Sequence, residues 1–415
     1  MESVQHHTLD NGLLLITESI KDVRTAAIEW VVPAGVATNE YDGDSVLLTE
    51  LSYRGAGGLC AREHTKKLDL LGVRRDITCG VRLLKLHGLM LGSKVCESMA
   101  PIADMLLRPS LQSDDLYASQ QLCLQALDSL QDNPPKLVNI ALNQHHNPAP
   151  FNRSTYGERN NIESATIERL QAVHQNSFCP CGSIISIAGD IDHEEIFSAV
   201  QEQTFNWSGE NKDPVESAPA TRGVHHIKQE TSQVHIGLAF DGPQAVDEHS
   251  ILEMIAVSIF GGATSGRLFT EVRQKRSLCY SVNASYQRAR DNSSFRIHAG
   301  TTPKRASETV EVILDQLEVL RDGVTPEELS RTITRLRANT VMRGESTAAR
   351  ASALLGDQYA IGKTRTLQDR LDEISSVSLE SVNSYLKNRQ YGAMTMVLLG
   401  PEELEIDENR MWEIS

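Results

Sequence analysis

Apolar positions along this chain fall into two rhythms: short runs, and longer stretches with apolar residues three and four apart. The runs LLLITES (13–19), TAAIEWVVPAG (25–35), RLLKLHGLML (82–91), SQVHIGLAF (232–240) and FRIHAGT (295–301) predict strands. The helical spacing predicts a short helix in GDSVLLTELSYRGAG (43–57), where Leu47, Leu48 and Leu51 share a face and glycines close the end. It predicts further helices in AREHTKKLDLLG (61–72) and over 114–131, and long helical stretches over 249–269 and 325–360. Strands and helices come in runs, which predicts an α+β fold with mostly antiparallel sheets.

One pattern occurs twice. TIERLQAVHQNSFCPCGSIISIAGDID (166–192) and SLESVNSYLKNRQYGAMTMVLLGPEE (378–403) each open on a hydroxyl helix cap. Each continues as an amphipathic helix and ends as an apolar strand closed by Gly189 or Gly400. A solenoid needs more copies, so the expectation is two tandem homologous domains, residues 1–205 and 224–415. Between them, NWSGENKDPVESAPATRG (206–223) is polar, holds Pro and Gly, and lacks apolar periodicity, as a linker does.

At 415 residues the chain is long enough for two cores, and 40% hydrophobic with 23% charged residues is ordinary for a globular protein. The formal net charge of −15 speaks against nucleic acid, whose phosphates need a basic surface, and favours a cationic peptide if any charged partner. The start, MESVQHHTLDNG, lacks the basic and apolar regions of a signal peptide, and no apolar run approaches the ~20 residues of a membrane helix. Seven scattered cysteines suggest reduced thiols rather than a disulfide framework. A cytoplasmic protein that binds neither nucleic acid nor membrane is therefore expected.

The segments LDNGLLLITE, GDSVLLTELSYRGAG, AREHTKKLDLLG, YGERNNIESATIERL, IAGDID and GGATSGRLFTEVRQKRSLCYSVNASY follow one another in an order and spacing that resemble the insulinase/pitrilysin family of zinc peptidases, in its processing-peptidase-like group. That resemblance implies an H-x-x-E-H helix whose two His bind zinc and whose Glu activates water, and a third ligand, Glu, about 76 residues further on. The matching positions here are Val46 and Glu50 for the two His, Thr49 for the base and Ala126 for the third ligand. Val, Thr and Ala cannot hold zinc, so this chain is expected to bind no metal itself.

CAREH (60–64) spells a variant motif with Cys60 for the first His, but it lies one element later than the family's motif. The expectation is that Glu63 and His64 are exposed polar residues at a helix start. The adjacent pairs His6–His7, His145–His146 and His225–His226 cannot readily chelate one ion, because neighbours point to different sides. FGGATSGRLF (260–269) is glycine-rich but lacks the Gly-Lys-Ser/Thr ending of a phosphate loop and reads as a helix break. In the family, glycines here allow chains to approach closely.

The second half keeps what the first has lost. The resemblance implies an Arg and a Tyr seven residues apart that complete the active site, and these are Arg273 and Tyr280. Arg offers a fixed fork of donors for a peptide carbonyl, and the Tyr hydroxyl can donate to an oxygen that becomes negative as water adds. The resemblance therefore implies a zinc-less subunit that lends Arg273 and Tyr280, in trans, to an unfolded peptide cut at the zinc of a paralogous partner. Peptide is expected to bind partly by strand addition to a sheet edge. The alternatives are a structural or peptide-binding pseudoenzyme, and a peptidase using Cys60, Glu63 and His64.

Overall fold

A computed structural model describes residues 3–211, 214 and 218–404. It divides into two compact units. The first comprises residues 1–129, 149–218 and 342–366, and the second residues 130–148, 219–341 and 367–415, as far as each is described. Each unit takes the bulk of one half of the chain and one segment from the other half. Five linker positions, 212, 213 and 215–217, lie outside the described residues.

The first unit holds strands β1 (Ser3–Thr8), β2 (Leu14–Ser19) and β3 (Thr25–Val32), then helix α1 (Asp44–Leu51). A two-residue hairpin, β4 (Gly55–Ala56) and β5 (Leu59–Cys60), leads to α2 (Ala61–Leu70), β6 (Arg74–Cys79), β7 (Leu84–Leu91), α3 (Val95–Leu107) and α4 (Ser113–Asp128). The chain then gives α5 (Pro134–His146), a member of the second unit, before α6 (Arg159–Glu163), α7 (Ile167–Ser177), β8 (Ile184–Gly189) and α8 (His193–Thr204). The second unit continues with β9 (Gly223–Lys228), β10 (Val234–Asp241), α9 (Ser250–Gly261), a π-helical turn at Phe269–Gln274, β11 (Cys279–Gln287), β12 (Ser294–Thr301), α10 (Ala306–Arg321) and α11 (Pro326–Gly344). Next come α12 (Thr347–Ile361), a member of the first unit, and finally α13 (Leu367–Ser375), α14 (Leu379–Asn388) and β13 (Thr395–Gly400).

The sheets repeat one topology. The first runs β1-β2-β8-β3-β7-β6 and the second β9-β13-β10-β12-β11. In each, a parallel pair (β2 with β8, β9 with β13) is followed by antiparallel neighbours in the same sequence. The fold is α+β with mostly antiparallel sheets, and the repeated segments become α7–β8 and α14–β13. Thr166 and Ser378 cap their helices as predicted, the hydroxyls accepting from the backbone N–H of Arg169 and Ser381.

Two helices cover their sheets with the same spacing of side chains. In the first unit, Ala351, Leu354 and Leu355 of α12 pack on Ile16, Ala27, Val31, Ile184 and Ala188. In the second, Val138, Ala141 and Leu142 of α5 pack on Ala239, Val397 and Leu399. Gly237 makes room for α5, since a Cβ there would lie 2.5 Å from Val138 Cγ1. With a core on the other face, the central strands are covered on both sides and read as unbroken apolar runs.

Four strands of the two large sheets escape the apolar pattern: β1, β6, β9 and β11. The long helical stretches are also broken, 249–269 after Gly261 and 325–360 at Glu345–Ser346, where Ser346 caps α12.

Candidate functional site

Helix α1 is fixed by its buried polar residues as much as by its leucines. Leu47, Leu48 and Leu51 are fully buried. Asp44 is fully buried as well and accepts from Arg169 of α7 at 2.7 Å. Burial pushes the Asp44 carboxyl up, and the guanidinium opposes this. Ser45 donates to the Gly35 carbonyl at 3.1 Å. These contacts hold the helix in place without any metal.

The positions that resemble ligands do not form a metal site. Val46 is half-buried among apolar neighbours. The Thr49 hydroxyl donates back to the Ser45 carbonyl at 2.9 Å, so it serves the helix. Glu50 is half-buried, and burial raises its carboxyl pKa while Arg54 opposes the shift. Ala126 lies exposed on α4, which packs on α1 and brings Cys123 near Glu50. Burial, then the Glu50 charge, pushes the Cys123 thiol up to about 12, so it stays protonated at neutral pH. Among the described residues no group of three His, Cys, Asp or Glu side chains could hold a metal ion. The residues present do not fit zinc.

At CAREH the structure corrects one expectation. Glu63 is exposed and its carboxylate accepts from the Cys60 backbone N–H at 3.3 Å, a capping box. His64, expected to be exposed, is buried under α2, and its Nε2–H donates to the Pro101 carbonyl of α3 at 2.9 Å. Burial lowers its pKa, so it sits there neutral. Cap and buried hydrogen bond assign the two side chains to different places, and they are no ligand pair.

The histidine pairs are likewise split. His145 stacks on His225, ring centroids 3.5 Å apart, while His146 is buried with Nδ1 at 3.0 Å from Thr395 Oγ1. Gly261, in the glycine-rich break, serves a contact within the second unit, since a Cβ would fall 2.7 Å from the Ala284 backbone N on β11.

Arg273 and Tyr280 occupy irregular backbone. Arg273 belongs to the π-helical turn, a form enriched at functional sites. The return to β11 is tight: the Leu278 N–H donates to the Val272 carbonyl, and Ser277 takes φ +53°. Tyr280 lies at a β-bulge, where the register slips between Cys279 and Ser281. A bulge turns a side chain away from its regular direction, and Tyr280 is 58% exposed. Its neighbours Lys275 and Arg276 are both paired to Glu271, at 2.7 and 2.9 Å. These bonds lower the Glu271 pKa. The Arg273 side chain has no hydrogen bond or ion pair among the described residues; its Cζ lies 5.0 Å from the centroid of the Phe269 ring, and its carbonyl accepts from the Ser277 N–H. Both side chains are exposed donors at the entry to an edge strand, β11.

Sequence reasoning passed over the polar face of β11 and β12. There, Asn283, Ser285 and Gln287 line a cavity of about 270 Å³ with Arg296 and His298. The signal was present in FRIHAGT, where a cation and an imidazole occupy one strand face two residues apart. A further cavity, of about 730 Å³ beside Glu248, His249 and Tyr385, contains none of the predicted site residues.

Residues 164–336 match the peptidase M16 inactive domain. An uncharacterised zinc protease of Mycobacterium tuberculosis is 26% identical over 410 residues, 95% of this chain and 92% of that one. One of Bacillus subtilis is 24% identical over 408 residues, 96% of this chain and 98% of that one. Among solved structures, a peptidase M16 inactive domain from Pseudomonas fluorescens superposes with a TM-score of 0.87 at 19% identity, covering 97% of this chain and 99% of that one. A protease from Helicobacter pylori gives 0.88 at 17%, covering 96% and 100%. The chain is thus similar to zinc proteases along nearly its whole length and to the peptidase M16 inactive domain over residues 164–336, and its sequence contains no H-x-x-E-H.

Proposed function

We propose that this chain is the zinc-less subunit of a two-chain M16 peptidase and contributes Arg273 and Tyr280 to peptide hydrolysis at a paralogous partner's zinc. The observation that carries this reading is an asymmetry. The zinc positions have become Val46, Thr49, Glu50 and Ala126, whereas Arg273 and Tyr280 remain as exposed donors, their side chains unpaired among the described residues, on a π turn and a β-bulge. A chain that had lost its role in proteolysis has no need to keep both. In this role Arg273 orients a peptide carbonyl, and the Tyr280 hydroxyl donates to the oxygen that gains charge as water adds to the carbon. An unfolded peptide would lie along β11, whose outer edge is unpaired among the described residues. Zinc chemistry belongs to the partner; the chain adds orientation and charge stabilisation, and works in the compartment that holds the partner.

The test is peptide cleavage by the purified chain alone, and mixed with an H-x-x-E-H-bearing relative from the same source, with zinc content recorded. Cleavage is expected only in the mixture. Tyr280→Phe should lower its rate about 10²- to 10³-fold, the usual effect of removing one oxyanion donor. A mixture indifferent to Tyr280→Phe and Arg273→Ala would leave a structural or peptide-binding pseudoenzyme, and cleavage by the isolated chain would overturn the zinc-less reading.

A further inference from the structure

A buried cation without an anion is costly, because the charge has left water and no opposite charge replaces it. Arg296 on β12 is in that position. It is 7% exposed. Its Nε donates to Ser294 Oγ at 2.9 Å, and its two Nη atoms donate to Asn139 Oδ1 at 2.9 Å and Asn143 Oδ1 at 3.4 Å. All three partners are neutral. Among the described residues no carboxylate pairs with it, and the one on the same sheet face, Asp241 of β10, is held by both Nη atoms of Arg222 at 2.7 Å. Burial lowers the Arg296 pKa to about 10, so it keeps its charge at neutral pH.

The cavity of about 270 Å³ opens on this guanidinium. Its wall is chemically mixed. Asn283, Ser285 and Gln287 of β11 and His298 of β12 are polar, while Pro135, Val138 and Leu142 of α5 are apolar. The His298 Nε2 is buried without a partner among the described residues. Burial, then its neighbour His235, lowers the His298 pKa to about 4, so it is neutral at pH 7. Among the described residues each Arg296 Nη has one hydrogen-bond partner, which leaves one N–H on each for a planar carboxylate. The volume falls below the usual range for drug-sized ligands and suits one residue's end group.

The cavity shares a strand with the proposed catalytic donor. Ser285 stands directly opposite Arg296 in the β11–β12 register, five residues beyond Tyr280. At ~3.3 Å per residue the separation is about 17 Å, the reach of roughly five extended peptide residues.

We infer that the Arg296 cavity is a carboxylate-binding subsite that anchors a peptide about five residues from the carbonyl held at Arg273 and Tyr280. The carboxylate is the peptide's C-terminus or an acidic side chain. The cavity's chemistry stands on its own residues; that its ligand is a peptide rests on the proposed function. The chain's net charge of −15 works against adventitious binding of acids, so a preference for a carboxylate must come from a local site.

The experiment measures binding of three fluorescein-labelled decapeptides to the whole chain by anisotropy at physiological salt. One ends in a free carboxylate, one in an amide, and one in an amide preceded by Glu. The free acid or the Glu peptide should bind at least tenfold tighter than the plain amide. That preference should vanish in Arg296→Gln. It should also vanish in Ser285→Asp, an exposed edge-strand change that sets a carboxylate opposite Arg296 without disturbing the core. Equal binding of all three peptides, or a preference that survives both substitutions, would overturn the subsite. Should no peptide bind while succinate raises the melting temperature of the parent but not of Ser285→Asp, the peptide assignment falls and the carboxylate cavity stands. Loss of both effects would remove the cavity as well.

Discussion

At the scale of single residues, the polar groups with the clearest consequences are the buried ones. Glu18 on β2 is fully buried, and Arg350 of α12 donates to its carboxylate through Nε at 2.9 Å and through Nη2. Removing one partner of a buried pair leaves the other charge uncompensated and typically costs ~3–5 kcal/mol. Arg350→Met should therefore destabilise the first unit by about that amount, and adding Glu18→Gln should recover much of the loss; urea unfolding of the three variants measures both. If Arg350→Met costs under ~1 kcal/mol, the pair does not hold α12 to its sheet. The same scale shows what could be read in advance. Leu47, Leu48 and Leu51 were legible as the buried face of α1, because three-and-four spacing maps directly onto a helix face. His64 was not, since a histidine at a helix start looks alike in sequence whether it faces water or a carbonyl such as that of Pro101. Arg296 was hidden for a related reason: nothing local reports that a strand cation will find only amide and hydroxyl partners.

At the scale of elements, the legible strands were the central ones. β2, β3, β10 and β12 carry apolar runs because both their faces are covered, and β7 alternates because one of its faces is only half-buried, whereas β1, β6, β9 and β11 lie at sheet edges and carry SVQHHT, RRDITC, GVHHIK and CYSVNASYQ. An edge strand with a half-wet face needs no apolar run, and charge there discourages pairing with other chains. The glycine-rich break after α9 was visible, but its purpose was not. Gly261 lets α9 approach β11, and a Cβ would lie 2.7 Å from both the Cβ and the backbone N of Ala284. Since backbone cannot rotate away, Gly261→Ala should push α9 off the strand that carries Tyr280 and cost ~1–3 kcal/mol, the usual penalty for overpacking. Because Tyr280 sits at the β11 bulge, the activity of the mixed complex should fall more than stability does, whereas Gly356→Ala, inside α12 with nothing within 4 Å, should leave activity unchanged and raise stability by up to ~1 kcal/mol. Unaltered stability in Gly261→Ala would show that the helix and strand have slack.

At the scale of the whole molecule, the duplication was legible from one repeated helix–strand segment, but the exchange of helices was not. Val138, Ala141 and Leu142 on α5 and Ala351, Leu354 and Leu355 on α12 show ordinary amphipathic spacing. Spacing says that a helix has a sheet to cover; it does not say whose. Each half of the chain gives its helix to the unit formed mainly by the other half, so neither half holds a complete fold. Burying a leucine contributes ~1.5–3 kcal/mol, and a sheet face stripped of its helix would expose Ile16, Val31 and Ile184 in the first unit or Ala239, Val397 and Leu399 in the second. The loss is of the same order as the whole stability of a typical domain. Fragments 1–218 and 219–415 expressed separately should therefore bind a hydrophobic dye and show no cooperative melting. Expressed together they should co-purify one to one and melt cooperatively, because each then supplies the helix the other lacks. Ala351→Asp in the second fragment should abolish that rescue by setting a charge against Ala27 and Ala188. Independent cooperative folding of 1–218 would mean that its own sheet and core suffice, and that α12 is an accessory to the first unit rather than a constituent of it.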